Sequence, residues 1–565
     1  MMQALCFAVA LLLAPRLVLA GEPALPGGCP TVVRAHFKDR AQLAALATWA
    51  EPWEVNADAG YVVLAVDQAG RDRLAAAGFA VEVDATLTGR LCRPRAVAKD
   101  QPSGIPGFPC YATTAETLQR AQALVQAHPD LATLVDIGDS WEKTHAGEYG
   151  EGHDLVVLRL GRFSAEAPLP PGSRPTLFAM GGLHAREYAP PELLLRFAEQ
   201  LVAGYGGDAD ATWLLDEHEI HLLLYANPDG RTRAEAGILW RKNADNDYCP
   251  DTDDRGVDLN RNFEFGWGCC DGSSDVPCNE VFRGPAAASE PEIQAVEQYI
   301  RALFPSRWAP EPPPDTSGLV LDMHSYGQLV LWPWGSTATP APNHTALQTL
   351  GRKLAFFNGC RPEQAMSFYP TDGTSTDFTY GDRGVASYTI EMGSWFFEEC
   401  GNFEGYLLSV NLNALTYAAK VAGAPYLTPS GPDVTDIVLE PDRAARIGEQ
   451  VTVTARVDDG RYSYLGGAEP HQTIAGATLT VDRPPWADPT PETIAMTPVD
   501  GALDASTEEL SAVVDVTGLG PGRHTLPARS RRQRQLGRGE RRFPVGGRRR
   551  RDAAAADWTS RAVMR

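Results

Sequence analysis

The sequence predicts an α/β protein with a helix-covered central sheet, preceded by a small α+β unit and followed by a β-sandwich-like module. Three observations predict it. Between about Cys110 and Pro425, helical runs alternate with short apolar strands, the pattern of a sheet covered on both faces. Three residues able to handle a metal or a proton, His184, His324 and Glu391, stand at the ends of such strands, and in open α/β sheets ligands sit outside the strands' carboxyl ends. On either side the pattern changes, to short strands between Ala/Leu-rich helices before Arg93 and to period-two strands after Pro432.

Residues 1–20 contain the apolar segment Ala4–Ala14 and end in Val18-Leu19-Ala20 before Gly21, a small-residue pattern that predicts a signal peptide and an exported protein, secreted or periplasmic. No later run has the roughly 18 apolar residues of a membrane span. A formal charge of −22 argues against nucleic acid as a partner. Export permits disulfides. Cys6 leaves with the signal; Cys29 with Cys92, Cys249 with Cys278, and Cys360 with Cys400 each bracket a segment, so three bridges are expected, with Cys110, Cys269 and Cys270 unassigned.

Residues 21–92 form the first unit, with strands at Thr31–Ala35, Tyr61–Val66 and Val81–Val83. The Pro/Gly-rich, basic stretch 93–109 is expected to be a linker; a protease cutting there would release residues 21–92, which makes them a candidate pro-domain, an ordinary N-terminal domain being the other reading. In the main domain, residues 110–426, a helix is expected at Thr114–Ala127. Strands are expected at Leu155–Leu160, Thr176–Met180, His221–Tyr225, Leu319–Met323 and Ser387–Ile390. Residues 430–526 read as a sandwich-like accessory module with strands at Val434–Leu439, Gln450–Val457, Ala477–Val481 and Ser511–Val516. In the tail, residues 527–565, the stretch Arg529–Arg551 holds eleven arginines in twenty-three residues. A shift of reading frame near Pro527 accounts for it, because suitable codons for Gln535 to Phe543, read one base later, encode a turn and a strand that complete the module. A basic, nucleic-acid-seeking tail is the other reading.

The chemistry centres on Gly181-Gly182-Leu183-His184-Ala185-Arg186-Glu187-Tyr188, which reads as strand, turn, helix. An imidazole and a carboxylate three residues apart suit Zn²⁺. His324, ending Leu321-Asp322-Met323, adds a second imidazole and leaves a fourth position open for water, as catalytic zinc requires. Glu391, after Tyr388-Thr389-Ile390, is suited to take a proton from water. Arg241 in Trp240-Arg241-Lys242 and Asn260-Arg261 in Asp258-Leu259-Asn260-Arg261-Asn262-Phe263 offer forks for a carboxylate or an oxyanion.

These spaced motifs, together with His324-Ser325-Tyr326-Gly327-Gln328, make the segment from Cys110 to about Pro425 resemble the metallocarboxypeptidases of the pancreatic carboxypeptidase A/B type, including their secreted bacterial relatives. The resemblance implies a carboxypeptidase-like fold with a mixed central sheet flanked by helices, one Zn²⁺, and peptide or protein C-termini as substrates. It implies His184, Glu187 and His324 as metal ligands, Glu391 as general base and Arg241 as oxyanion stabiliser. Asn260 and Arg261 match the pair that binds the terminal carboxylate, Arg186 a groove-lining arginine, and Tyr369 the mobile tyrosine that caps substrate. Thr376 falls at the floor of the side-chain pocket. Its neutrality predicts a hydrophobic or broad preference, with Asp372 nearby as a source of tolerance for basic residues. Cys249 and Cys278 fall where the family has a disulfide. The rivals are a cell-wall or glutamyl-peptide hydrolase of the same fold and a non-catalytic protein that binds peptide termini. Three further patterns read as structural: Gly138-Asp139-Ser140, His218-Glu219-Ile220-His221 and the sequon Asn343-His344-Thr345. The acidic loop Asp245, Asp247, Asp251, Asp253 and Asp254 could hold Ca²⁺ but lacks the usual loop motif, which favours a solvated acidic loop.

Overall fold

The computed structural model describes residues 29–92, 101–147, 150–163, 174–250, 252–308, 311–441, 444–483, 491–532 and 559–564. The expected signal peptide, residues 93–100 of the expected linker and residues 533–558 of the Arg-rich tail lie outside the described residues.

The N-terminal unit is a four-stranded antiparallel sheet, β1 (Thr31–His36), β2 (Glu54–Asn56), β3 (Tyr61–Val66) and β4 (Ala80–Val83), in the order β2-β3-β1-β4. Its three helices start at Asp39, Asp67 and Asp84, each of which caps through its carboxylate. Cys29–Cys92 closes the unit on itself. Its core, with Val33, Leu46, Val62 and Leu74, runs on into Leu329, Leu331, Phe368 and Tyr369 of the main domain.

Among the described residues the main domain holds eight strands: β5 (Ala132–Asp139), β6 (Asp154–Leu160), β7 (Thr176–Gly181), β8 (Glu219–Leu223), β9 (Leu319–His324), β10 (Leu329–Trp332), β11 (Arg361–Gln364) and β12 (Ala386–Glu391). Their order is β11-β10-β12-β9-β7-β8-β6-β5. The centre, β12, β9, β7 and β8, is parallel; β10, β6 and β5 join antiparallel, and β11 is parallel to β10. Central strands covered on both faces are apolar throughout, and every residue of β7 and β9 is buried.

The expected helix lies at Thr114–Ala127, fixed by a capping box in which Thr113 accepts from the Glu116 N–H and Glu116 accepts from the Thr113 N–H. Two expectations are corrected. The fourth strand sits two residues earlier than His221–Tyr225, because its pairing with β6 and β7 ends at Leu223. The second half of the expected linker is packed: Ile105 and Phe108 are buried in the main core, and the Gln101 amide donates to the carbonyls of Ser103 and Ile105. Proline and glycine there make a tight turn, not a tether.

The C-terminal module is one seven-stranded antiparallel sheet of β13 (Asp433–Glu440), β14 (Gln450–Asp458), β15 (Ile474–Leu479), β16 (Ile494–Pro498), β17 (Thr507–Asp515), β18 (His524–Arg532) and β19 (Thr559–Met564), ordered β13-β14-β17-β16-β15-β18-β19. It curls like a barrel until β13 lies beside β19. The inward-outward alternation of β18 continues past Pro527, with Ala528 and Ser530 buried.

Among the described residues four disulfides are present: Cys29–Cys92, Cys110–Cys400, Cys249–Cys278 and Cys269–Cys270. The expected Cys360–Cys400 bridge is therefore corrected. Cys400 begins a short helix held to the domain's entry, where the Tyr111 hydroxyl donates to the Glu398 carbonyl, and Cys110 comes within 5.6 Å of it Cα to Cα. Cys360 is a buried free thiol.

Candidate metal centre and substrate groove

Three strand ends build the site. After β7, Gly182 turns the chain at φ +66°, where a Cβ would also press on Tyr225 and Pro191. The turn is pinned as the Ala185 N–H donates to the Arg241 carbonyl (3.1 Å), and a helix starting at Ala189 with Pro190 and Pro191 in its first turn carries the chain away. His184 and Glu187 are thereby fixed on one turn. His324 ends β9, and the parallel register pairs it with Glu391 at the end of β12.

The side chains of His184, Glu187 and His324 converge. Their ligand atoms lie within 4.8 Å of one another and all three residues are buried. His184 Nδ1 is 2.8 Å from Glu187 Oε1 and 3.1 Å from His324 Nδ1, and His324 Nδ1 is 3.2 Å from Glu187 Oε2. The outer nitrogens face other acids, His184 Nε2 lying 3.3 Å from Asp258 Oδ1 and His324 Nε2 2.9 Å from Asp322 Oδ2. Protons on both Nε2 atoms leave two Nδ1 lone pairs and a carboxylate pointing at one spot, an arrangement that fits a cation. The electrostatics agree. Burial would raise the Glu187 carboxyl, yet His324 and His184 hold it well below the usual range. Burial opposes charge on His324, but Asp322 and Glu187 hold the imidazole well above its ordinary pKa. The acids demand a positive charge that a proton or a metal ion supplies.

Glu391 is partly exposed. Burial of its carboxyl, helped by Glu187 and Glu51 and opposed by His324, raises its pKa well above normal. Arg241 is buried and donates from Nη2 (2.8 Å) and Nε (3.2 Å) to Asp258 Oδ2. Asp258 also accepts from the Asn260 N–H at 3.0 Å, and although burial would raise its pKa, Arg241 and Arg261 depress it far below the carboxylate range. Asn260 Oδ1 accepts from the Ser375 N–H (3.0 Å), and Arg261 donates to the carbonyls of Gly272 (3.0 Å) and Asn260 (2.7 Å), with its Nη2 3.5 Å from the Tyr369 hydroxyl. Tyr369 is buried against Phe368, and burial raises its phenol pKa. Thr376 is buried, its hydroxyl 2.7 Å from that of Thr389. Asp372 accepts from Ser273 Oγ and from the N–H groups of Cys270 and Gly272, so its carboxylate holds that loop.

Residues the sequence did not single out complete the site. Glu51 of the N-terminal unit is buried between Arg186 and Arg241, pairing with both. Arg186 also pairs with Glu280 at 2.8 Å and lies 4.2 Å over the Phe396 ring, against which Trp53 stands edge-on at 5.1 Å. Asp258 alone among these lies within a spaced motif, Asp258-Leu259-Asn260-Arg261, which is the signal that could have found it.

The other patterns resolve as structure. Ser140 Oγ (2.7 Å) and His153 Nδ1 (3.0 Å) both meet Asp229 Oδ1, so a carboxylate rather than an imidazole faces the serine and no relay forms. His221 is tied to Glu219 and Tyr299. The Asn343 amide already bonds Pro312 and Tyr380. Among the described residues the His184 group is the one that converges as a metal site; the Ca²⁺ expectation for the acidic loop finds no support, Asp245 being used to accept the Asp247 N–H, and Asp251 lies outside the described residues.

Fold and ligand set together define an α/β protein with a single-metal site at the carboxyl edge of its sheet. Residues 117–397 match the zinc carboxypeptidase family, and that stretch belongs to it. The chain is 32% identical over 320 residues to a zinc carboxypeptidase of Saccharothrix mutabilis subsp. capreolus (53% of this chain, 65% of that protein). It is 30% identical over 295 residues to mast cell carboxypeptidase A of Rattus norvegicus (51% and 64%) and 30% identical over 290 residues to carboxypeptidase B of Bos taurus (49% and 62%). It thus spans a little under two thirds of the length of these relatives. The fold is shared with carboxypeptidase A from Helicoverpa armigera (TM-score 0.57, 21% identity) and with thrombin-activatable fibrinolysis inhibitor (TM-score 0.52, 21% identity), each covering 70% of this chain and 98% of its own. Among the described residues no helix is long and apolar enough to cross a membrane.

Proposed function

We propose that the chain is a secreted zinc carboxypeptidase that removes the C-terminal residue of peptides and proteins, with residues 21–92 as its pro-domain. One observation carries the reading: two imidazole Nδ1 atoms and a carboxylate converge within 4.8 Å, with Glu391 in register beside His324. His184, Glu187 and His324 would hold the metal. Zinc, when bound, supplies Lewis acidity to the scissile carbonyl and makes water a better nucleophile. Glu391 takes the proton of the attacking water and returns it to the leaving amine. Arg241 neutralises the developing oxyanion, held on line by Asp258. Asn260 and Arg261 take the substrate's terminal carboxylate, Arg186 lines the groove, and Tyr369 closes over the bound residue. Thr376 gives a neutral pocket floor, and the carboxylate of Asp372 is committed to the 270–273 loop. A hydrophobic or broad preference follows. Four disulfides agree with export.

The test is release of C-terminal Phe, Leu, Lys and Arg from matched peptides by the chain nicked within 93–100, with and without chelator. Phe and Leu should leave at least as fast as Lys and Arg, with chelator stopping release and zinc restoring it. Strict Lys/Arg release refutes the preference. Cleavage of cell-wall peptides alone moves the chain to the cell-wall reading, and no cleavage with zinc bound makes it a terminus-binding protein.

A further inference from the structure

Asp322 lies in the middle of the apolar strand β9, between Leu321 and Met323, and is 1% exposed. An acid buried in a central parallel strand is unfavourable unless its oxygens are used. Its Oδ1 accepts no hydrogen bond among the described residues. Its Oδ2 takes two: His324 Nε2 at 2.9 Å and the Ser375 hydroxyl. His324 is two residues along the same strand, so both side chains share one face of the sheet. A proton held on Nε2 is what leaves Nδ1 free to face His184 and Glu187.

Ser375 leads elsewhere. It begins the short helix Ser375–Phe378, its N–H donates to Asn260 Oδ1 at 3.0 Å, and its neighbour Thr376 meets Thr389, which sits beside Asp322 in register. A single buried oxygen therefore touches both the metal-facing imidazole and the helix that supports the carboxylate-binding Asn260 and the pocket floor.

We propose that Asp322 is a positioning residue: it fixes the tautomer and aim of His324 toward the metal and fastens the ligand strand to the helix at Ser375. This rests on the zinc reading above. Asp322 does for His324 what Asp258 does for His184, but with its second contact turned toward the substrate pocket. Neither contact is visible from the ligand motif, because the hydroxyl partner is 53 residues away in the chain.

Zinc affinity of the metal-free full-length chain, measured by competition with a chromophoric chelator, tests it. Asp322→Ala should bind zinc about 10- to 100-fold more weakly, the usual cost of losing an outer partner of a ligand. Asp322→Asn, whose amide oxygen still accepts from Nε2, should recover part of that loss and remain about threefold or more below wild type. Ser375→Ala breaks only the link to the helix and should keep zinc affinity within about threefold while raising KM in the nicked enzyme. Wild-type affinity in Asp322→Ala overturns the proposal; should that variant not fold, wild-type affinity in Asp322→Asn does the same. A Ser375→Ala variant as zinc-poor as Asp322→Ala also overturns it, because loosening of the pocket helix would then be the whole effect. A wild-type chain that takes up no zinc sinks the zinc reading itself, a separate outcome.

Discussion

Asp258 accepts from His184 Nε2, the Asn260 N–H and two nitrogens of Arg241, so one carboxylate holds three of the residues to which the proposed function gives separate tasks. A mutation at Arg241 should therefore be read at the chemical step. Arg241→Ala in the nicked enzyme should lower kcat by roughly 10²–10³-fold, as loss of one oxyanion donor does, whereas Thr376→Ala, which removes only a hydroxyl facing Thr389, should change kcat/KM by less than about tenfold. Comparable losses from both would count against these roles. At this scale the sequence was most informative where several residue types had to recur at fixed spacing. His184, Glu187, His324, Glu391, Arg241, Asn260 and Arg261 were all legible that way, and the structure brings them together at neighbouring strand ends and the loop around Asp258. Glu51 and the link from Asp322 to Ser375 were not, since each joins residues far apart in the chain and no local pattern encodes that.

The helix Pro291–Leu303 shows the same limit for a whole element. It carries Glu290 at its N-cap, Glu292 in its first turn and Glu297 in its middle, and all three acids are buried. Glu290 accepts from Asn243 Nδ2 (2.7 Å) and Ser289 Oγ (2.6 Å), Glu292 from the Trp141 N–H (2.8 Å), and Glu297 from the Glu264 N–H (2.7 Å). Burial, with Asp245 beside it, pushes Glu290 up to about 8, and burial pushes Glu297 up to about 7. Both folded-state values lie above the ordinary 4.5, so the fold favours the neutral acids. That contribution is complete below about pH 4.5 and is lost as pH rises through 7 to 8, at about 1.4 kcal/mol per pKa unit. The melting temperature should fall between pH 6 and pH 9, and Glu290→Gln should flatten the fall by a few degrees. Equal slopes for variant and wild type would show that Glu290 ionises freely in the fold. The four central parallel strands, by contrast, were legible to within two residues, because the centre of a covered parallel sheet must be apolar, whereas Ser511–Val516 in the C-terminal module starts four residues after the strand Thr507–Asp515 does. The bridge partner of Cys400 was not, because proximity of Cys110 is set by how the domain's entry folds back.

Across the whole molecule, two appended units are fastened to the main domain by charge in buried places. At the C-terminal module, Lys353 and Asp433 pair at 3.0 Å with both side chains fully buried, Lys353 also facing the Tyr462 ring at 4.2 Å, and Arg352 pairs with Glu469 at 2.8 Å. Arg461 also lies 3.4 Å from Asp433, so the buried acid has two cationic partners, while Asp433 is the one partner that offsets the buried Lys353 charge in that pair. At the N-terminal unit the pairing falls on Arg186 and Arg241, two residues of the proposed substrate site. Glu51 bridges Arg186 and Arg241, Trp53 stands against Phe396, and Arg40 donates to the carbonyls of Met366 and Ser367, just before Tyr369. Under the proposed function, a substrate's carboxylate or oxyanion needs the guanidiniums that Glu51 already holds, and the unit is then expected to compete with substrate instead of merely covering it. Burial would raise the Glu51 pKa, but Arg241 and Arg186 lower it; the contact is therefore complete at neutral pH and weakens only as pH falls through that depressed value. Glu51→Gln keeps the shape and removes the charge. In the uncut chain it should raise kcat/KM about tenfold, equivalent to about 1.4 kcal/mol less competition. After nicking within 93–100, where the disulfide Cys29–Cys92 leaves the unit free of any covalent tie, wild type and variant should be equal. An uncut variant as silent as the uncut wild type would assign the block to Trp53 and its packing and remove Glu51 from it.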